Sequence, residues 1–285
     1  EQEEIVQRTP RQIAWARFKR NRAGVISGYV ALFFLAAAFL APVITQLLGL
    51  ENGKTYPETL NSIGLPNGKY GGISLAHPLG VEPGAGRDLL TMLLYGSRIS
   101  FMVAILTTFT SLTIGFFVGI AGGYFRGRVD GYLGRLTDFL LAFPAFFMIV
   151  ALSEPMVGRI EQAGIAQGNG ARIVFLIIFL SFFGWPGFSR LIRSQVLSLR
   201  EREFVTAAQA MGASRRRIIL KELVPNLWAP VIVVVSLSLP GYLASEAVFS
   251  FLGVGVQAPA STWGLVLSDA VSFWRQDPAY LVIPS

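Results

Sequence analysis

Long uncharged stretches alternate with short basic segments along this chain. Residues 23–44 carry no charged side chain, and a helix of that length is about 33 Å long, which is enough to cross a bilayer. Further apolar stretches lie at residues 99–125, about 132–153, 173–189, 223–245 and 280–285. The pattern predicts an all-α membrane protein with about six spanning helices, of which the last stops short at Ser285.

The segments between these stretches differ in character. Residues 1–22 are basic with interspersed aromatic residues, which fits either an amphipathic helix at an anionic lipid surface or a solvated tail. Residues 46–97, 154–171 and 250–278 are rich in turn-forming or polar residues and predict loops. We therefore divide the chain into residues 1–22, a first membrane helix at 23–45, an outer loop at 46–97 and a core at 98–285.

Composition supports a lipid-embedded chain and excludes several kinds of site. Hydrophobic residues make up 53% and charged residues 14%, against about 25% charged in a soluble domain. The sequence has no Cys, so disulfides, thiolate metal sites and Cys nucleophiles are excluded. His77 is the single His, and its His-Pro-Leu-Gly context favours a turn residue with local hydrogen bonds over a metal ligand.

The positive charge is unevenly distributed. Of the 24 Lys and Arg residues, 17 lie in residues 1–22, 126–135 and 190–221, which would all face one side of the membrane. Because basic residues concentrate in cytoplasmic loops, we expect a cytoplasmic N-terminus and an outer 46–97 loop. The net charge of +7 is thereby explained by topology, without nucleic-acid binding.

A polar segment with internal order lies between the fourth and fifth apolar stretches. Residues 203–225 read EFVTAAQAMGASRRRIILKELVP. One helical face carries Phe204, Ala207, Ala208 and Met211. Gly212 is suited to end that helix, and Ser214 is suited to cap a second helix at residues 215–224. The sequence predicts a cytoplasmic helix–turn–helix whose small residues allow another protein to approach closely.

This segment resembles the EAA loop of ABC-importer membrane subunits. The residues at the positions of that motif are Thr206, Ala207, Ala208, Gly212 and Pro225. Thr206 replaces the usual Glu, and Val224 replaces the usual Leu before Pro. Glu203 supplies an acid one helical turn earlier, as is frequent in the dipeptide, oligopeptide and nickel subgroup.

Three further segments resemble the same subgroup. They are HPLGVEPGAGRDLLTMLLYGSRIS at residues 77–100, GGYFRGRVD at residues 122–130 and SFLGVGVQAPASTWG at residues 250–264. Val81 and Glu82 stand where the subgroup has Thr and Asp. The chain is thus similar to permease subunits of this subgroup from about its first apolar stretch to its end.

The resemblance implies the type I ABC-importer fold, with coupling helices in a loop at residues 201–225. It implies a bacterial or archaeal plasma membrane, a homologous permease, two ATPase subunits or domains and an extracytoplasmic substrate-binding protein. No Walker A motif, G-x-x-x-x-G-K-[ST], occurs in the sequence. We therefore expect a non-catalytic chain without cofactor or metal, with ATP and Mg bound by the partner ATPases.

The resemblance also singles out individual residues. Those expected to couple the chain to the ATPase are Glu203, Phe204, Ala207, Ala208, Met211 and Gly212. Glu246, at the outer end of the fifth stretch, is expected either to lie near the gate or pathway or to be a hydrated interfacial carboxylate. Independently of the resemblance, Asp138 lies near a predicted helix end, one turn from Arg135, and is expected to pair with it locally.

Alternative functions stay open at this point. Di- or oligopeptide is the leading substrate, with nickel or another small solute next, although the lack of Cys and the single His weaken direct metal handling. An ion-coupled secondary transporter would need mid-membrane charges, for which Asp138 and Glu246 are the candidates. An intramembrane hydrolase would need a catalytic set inside the spans, which the lone His in a loop does not provide.

Overall fold

The computed structural model describes residue 16, residues 18–68 and residues 70–285. Within that part, the longer regular elements are all helices, and β pairing is limited to isolated bridges. In chain order they are α1 (Arg22–Leu47), α2 (Leu89–Phe125), α3 (Gly127–Ala142), α4 (Ala145–Gln162), α5 (Asn169–Leu199), α6 (Glu203–Ala210), α7 (Arg215–Phe251), α8 (Trp263–Phe273) and α9 (Pro278–Val282). The predictions for residues 1–15 and for Arg17 lie outside the described residues.

The helices long and apolar enough to cross a membrane confirm most of the predicted spans. They are α1, α2, α5 and α7, and α3 with α4 makes a fifth if the bent pair counts as one span. The predicted sixth stretch begins as the short helix α9, and α8 lies inside the segment predicted as a loop. The all-α prediction is therefore confirmed, with fewer full-length spans among the described residues than the six expected.

The second span begins ten residues before the predicted position. Asp88 caps α2 by accepting a 2.8 Å hydrogen bond at Oδ1 from the backbone N–H of Thr91. The helix therefore includes Arg98, which the sequence pattern excluded because of its charge. Arg is a good helix former, so the charge of Arg98 does not oppose the helix, and the N-cap residue Asp88 sets where the helix starts.

The third predicted span is wrong as a single helix. Phe143 is extended and Pro144 follows it, so that α3 and α4 meet at an angle of 80°. The residue before proline is pushed out of the helical region, and proline itself has no N–H to donate. The predicted polar loop at 154–171 is also wrong in its first half, because α4 continues to Gln162.

The predicted helix–turn–helix at residues 203–225 is confirmed, and its second helix continues into the membrane. Gly212 has φ of +78°, and the Ser214 hydroxyl oxygen accepts a hydrogen bond from the Arg217 N–H. From Arg215 the helix runs without interruption to Phe251, through a wider π-helical stretch at Ile218–Leu223. That stretch ends two residues before Pro225, which cannot donate a backbone hydrogen bond to the preceding turn.

The most extensive helix contact joins α2 and α5. Three glycines one turn apart lie on the α2 side of it: Gly115, Gly119 and Gly123. A Cβ added at Gly119 would lie 2.7 Å from both the Cβ of Ile192 and the carbonyl oxygen of Ser189. The absence of side chains on this face lets the two backbones approach closely, as small residues do at membrane helix interfaces.

The segment predicted as an outer loop folds onto the C-terminal part of the chain rather than remaining free. Arg87 donates two hydrogen bonds of 2.6 Å to the carboxylate of Glu82 and one of 3.2 Å to the carbonyl of Pro259. Burial, and next the negative charge of Glu82, raise the pKa of Asp269 on α8 above its usual range.

The imidazole Nδ1 of His77 lies 2.9 Å from Asp88 Oδ2. The backbone N–H of His77 donates to the hydroxyl oxygen of Ser74, so the predicted local hydrogen bonding is confirmed.

Candidate functional site

Helix α6 docks on the rest of the chain through one narrow face. Val205 is 0% exposed, and Ala208 is also buried. Val205 belongs to an apolar cluster with Val196 of α5 and with Ile218 and Leu223 of α7. The face that α6 buries in its own chain is therefore the i, i+3 pair of Val205 and Ala208.

The neighbouring face of α6 carries most of the predicted stripe. Phe204 is 39% exposed and Met211 is 81% exposed, and Ala207 is exposed as well. Ala208 is the exception, because it packs inward and does not share the surface of the other three. The predicted stripe grouped two neighbouring faces of one short helix, and packing assigns them to different surroundings.

Glu203 and Thr206 lie in the first turn of α6. Arg202 precedes the helix and makes no side-chain capping bond. Glu203 is the acidic residue of the first turn, where a negative charge is favoured by the free backbone N–H groups of the helix start. The Thr206 hydroxyl donates a 2.9 Å hydrogen bond to the backbone carbonyl of Glu203. Thr206, which stands at the Glu position of the motif, therefore forms its side-chain hydrogen bond within its own helix.

Two arginines attach the segment around α6 to the end of α2. Arg200 donates a 2.8 Å hydrogen bond to the carbonyl of Tyr124, which satisfies one of the free carbonyls at the helix end. Arg126, which follows α2, donates a 2.7 Å hydrogen bond to the Glu201 carboxylate. The turn between α5 and α6 is therefore attached to α2 as well as to its neighbours in sequence.

Two ion pairs connect α3 to α5. Arg193 donates from Nε and from its terminal nitrogen to the two carboxylate oxygens of Asp130, at 2.5 and 2.7 Å. Arg190 pairs with Asp138. The predicted local pair of Asp138 with Arg135 is wrong, because α3 and α5 lie side by side at this end and bring Arg190 to the carboxylate.

Glu246 is enclosed by this chain. Its side chain is on α7 and is 0% exposed. Ser100 of α2 donates a 2.5 Å hydrogen bond to one carboxylate oxygen, and Ser250 donates one of 2.7 Å to the other. The carboxylate does not reach the surface of this chain in this structure, so the hydrated interfacial alternative is wrong here, and the gate or pathway role stays a prediction.

Sequence reasoning missed the polar contacts between spans. Ser100 was not recognised as a partner of Glu246, and the Tyr242 hydroxyl donates a 2.9 Å hydrogen bond to Ser111 between α7 and α2. Isolated serines inside the uncharged stretches were the sequence feature that could have indicated these hydrogen bonds. Among the described residues, no group of three or more His, Cys, Asp or Glu side chains is placed to hold a metal ion.

Comparison with known proteins places these features in a family. Residues 111–283 match the family described as binding-protein-dependent transport system inner membrane component. Residues 9–57 match the N-terminal transmembrane domain of oligopeptide transport permease C. These two matches together cover the first span and the core that contains α6.

Curated relatives are similar over nearly the whole chain. The dipeptide transport system permease protein DppC of Alkalihalophilus pseudofirmus is 30% identical over 97% of this chain and 82% of its own length. The oligopeptide transport system permease protein OppC of Haemophilus influenzae is 34% identical over 96% of this chain and 80% of its own length.

A solved structure shares the fold. A chain from an inward-facing form of the MetNI methionine ABC transporter superposes with a TM-score of 0.54 at 18% identity, covering 68% of this chain and 88% of that one. This likeness supports the predicted type I importer fold. The chain belongs to the family of binding-protein-dependent transport system inner membrane components, which are the permease subunits of ABC importers.

Proposed function

We propose that this chain forms half of the translocation pathway for di- or oligopeptides, together with a homologous permease, in an ATP-driven importer of the plasma membrane. The peptide names of the relatives described above favour peptide over nickel as the substrate. The observation that carries the coupling role is the exposed face of α6, which presents Phe204, Ala207 and Met211 at the end of the membrane helices.

Coupling to separate ATPase subunits follows from the way α6 is held. Aromatic residues and Met are enriched in protein interfaces, and here Phe204 and Met211 flank the small residue Ala207. Because α7 continues from this segment to Phe251, a displacement of α6 is transmitted to a membrane helix. ATP and Mg are bound by the partner ATPases, and closure of those subunits on ATP shifts the permease between inward- and outward-facing states.

Reconstitution tests the transport function. The complete complex in proteoliposomes, with the binding protein outside and ATP inside, is expected to import labelled di- or oligopeptide without an ion gradient. Import that persists without the ATPase subunits and depends on an ion gradient would instead support a secondary transporter. Import of nickel but not of peptide would support the alternative substrate.

A valine substitution at Gly212 tests the coupling role. At φ of +78° a β-branched residue is strained, so Gly212→Val is expected to leave an inserted permease that binds ATPase weakly or hydrolyses ATP without transport. Gly164→Val is the matched control, because Gly164 has φ of +70°, has equally open surroundings and lies between α4 and α5. Co-purification and transport at wild-type levels in Gly212→Val would show that α6 is not the coupling element.

Orientation is tested by labelling. We infer a cytoplasmic N-terminus and an outer location for the loop between α1 and α2 from the distribution of basic residues. Single cysteines at Asn67 and Ser214 are expected to react with an impermeant thiol reagent from opposite sides of the membrane. Reaction from the same side would overturn this orientation.

The role of Glu246 near the outer gate requires that its enclosure opens during transport. Glu246→Gln is expected to change the transport rate or the basal ATPase rate while the complex still assembles. Wild-type values for both rates would assign Glu246 to the packing of α2 against α7 alone.

A further inference from the structure

A cavity opens between α1, α2 and the segment around Pro259. Its volume is about 760 Å³, which is in the range of small-molecule sites. One wall comes from Ala38 and Phe39 of α1, and another from Phe101, Met102 and Leu106 of α2. These residues give the cavity a predominantly apolar interior.

One end of the cavity is polar. Arg98 lines it, together with Asn52, Asn169 and Ser261. The Arg98 side chain is exposed and lies 5.8 Å from the centre of the Tyr95 ring. Among the residues that the structure describes, no carboxylate lies within ion-pair distance of Arg98. The site therefore offers an uncompensated cation beside an apolar groove.

The position of Arg98 along α2 sets its depth in the membrane. Phe125 ends α2 at the face that carries the basic connectors, and the helix rises about 40 Å from Phe125 back to Arg98. A bilayer with its headgroups is about 40–45 Å thick, so Arg98 lies at the headgroup level of the opposite leaflet. Leu106 lies about 12 Å deeper along the same helix.

We propose that this cavity binds a phospholipid of that leaflet, with the phosphate at Arg98 and an acyl chain along α1 and α2. Guanidinium groups pair well with phosphate oxygens, and the cavity changes from polar to apolar in the direction in which a lipid changes from headgroup to chain. The competing occupant is a helix of the second permease, which the cross-link described below distinguishes from a lipid. The proposal is independent of the transported substrate. With the orientation proposed above, the leaflet is the outer one.

Native mass spectrometry of the purified complex tests the proposal with added palmitoyl-oleoyl phosphatidylglycerol as the probe. Arg98→Gln is expected to weaken retention about tenfold, the effect of losing a charge-assisted hydrogen bond. Arg275→Gln is the matched control, because Arg275 also stacks on an aromatic ring, that of Trp274, and does not line the cavity. Diacylglycerol with the same chains but no phosphate is expected to bind wild type about as weakly as phosphatidylglycerol binds Arg98→Gln.

A second variant and a cross-link keep the test decisive. Met102→Trp fills the apolar part and is expected to lower retention even if Arg98→Gln fails to assemble. A benzophenone residue at position 102 is expected to cross-link to phospholipid in membranes. Equal retention by wild type and Met102→Trp, equal losses in Arg98→Gln and Arg275→Gln, or a cross-link to the second permease in place of lipid would each overturn the proposal.

Discussion

Small residues are concentrated in two regions of this chain, and the structure requires them there for different reasons. Along the α2–α5 contact, Gly119 has ordinary helical geometry, but an added Cβ would collide with Ser189 and Ile192. At the end of α6, Gly212 has nothing within 4 Å of an added Cβ, but its φ of +78° is one that L-residues rarely adopt. Gly119 is required because no side chain fits in the space around it. Gly212 is required because its backbone has a positive φ.

The two regions also differ in what surrounds them. The α2–α5 contact is covered on both sides, with Ile192 and Val196 fully buried. Helix α6 buries Val205 and Ala208 and leaves Phe204 and Met211 exposed. A run of small residues therefore indicates close approach, but whether the approaching surface belongs to the same chain or to a partner depends on the neighbouring positions.

Alanine at Gly119 should have the largest effect. The added methyl group meets a backbone oxygen and a β-branched side chain that cannot move away easily, so Gly119→Ala is expected to lower the free energy of unfolding by about 3 kcal/mol. Gly131→Ala in α3 is the control, because nothing lies within 4 Å of its Cβ, and helix propensity should stabilise it by about 0.5–1 kcal/mol. Detergent-denaturation curves measure both, and equal stability of the two variants would show that the contact is not tight.

Val205→Ala should have the next largest effect, confined to α6. Removing two methyl groups from a buried site costs about 2 kcal/mol, so the backbone amides of α6 should exchange hydrogen about 30-fold faster. The exposed neighbour Gln209 provides the control, since Gln209→Ala removes no buried contact. Unchanged exchange in Val205→Ala would mean that α6 is held mainly by its arginine contacts.

The stability cost of substitutions at Gly212 should depend on how well the new residue tolerates a positive φ, and not on its size. Gly212→Ala is expected to cost about 1 kcal/mol, because alanine is disfavoured at positive φ. Gly212→Asn is expected to cost less, since Asn enters this region more readily than Ala. Hydrogen exchange at residues 210–214 measures the difference, and a larger cost for Asn than for Ala would indicate a steric restriction that the open surroundings do not show.

Loss of the Arg126–Glu201 pair should have the smallest effect. Both side chains are largely exposed, and exposed ion pairs contribute about 0–1 kcal/mol. Glu201→Gln is expected to change the thermal midpoint in detergent by no more than the experimental error at moderate salt. A loss above about 1 kcal/mol would show that this pair, rather than Val205, holds α6 in place.

Several features followed from sequence alone because they depend on one stretch of chain at a time. Transfer of an uncharged helix into lipid depends on its length and composition, which located α1, α5 and the membrane part of α7. The turn at Gly212 and the cap at Ser214 are local backbone preferences. The resemblance of residues 203–225 to a coupling loop was read from the same local pattern.

Other features were decided only by the packing of helices distant in sequence. Asp138 pairs with Arg190, 52 residues away, and Glu246 is enclosed by Ser100, 146 residues away. The assignment of Ala208 to the inner face of α6 depends on α5 and α7 lying against Val205. A residue's own neighbours in sequence set its backbone and its preference for lipid, but the partner that satisfies a buried charge or fills a small-residue face depends on which helices come together in three dimensions.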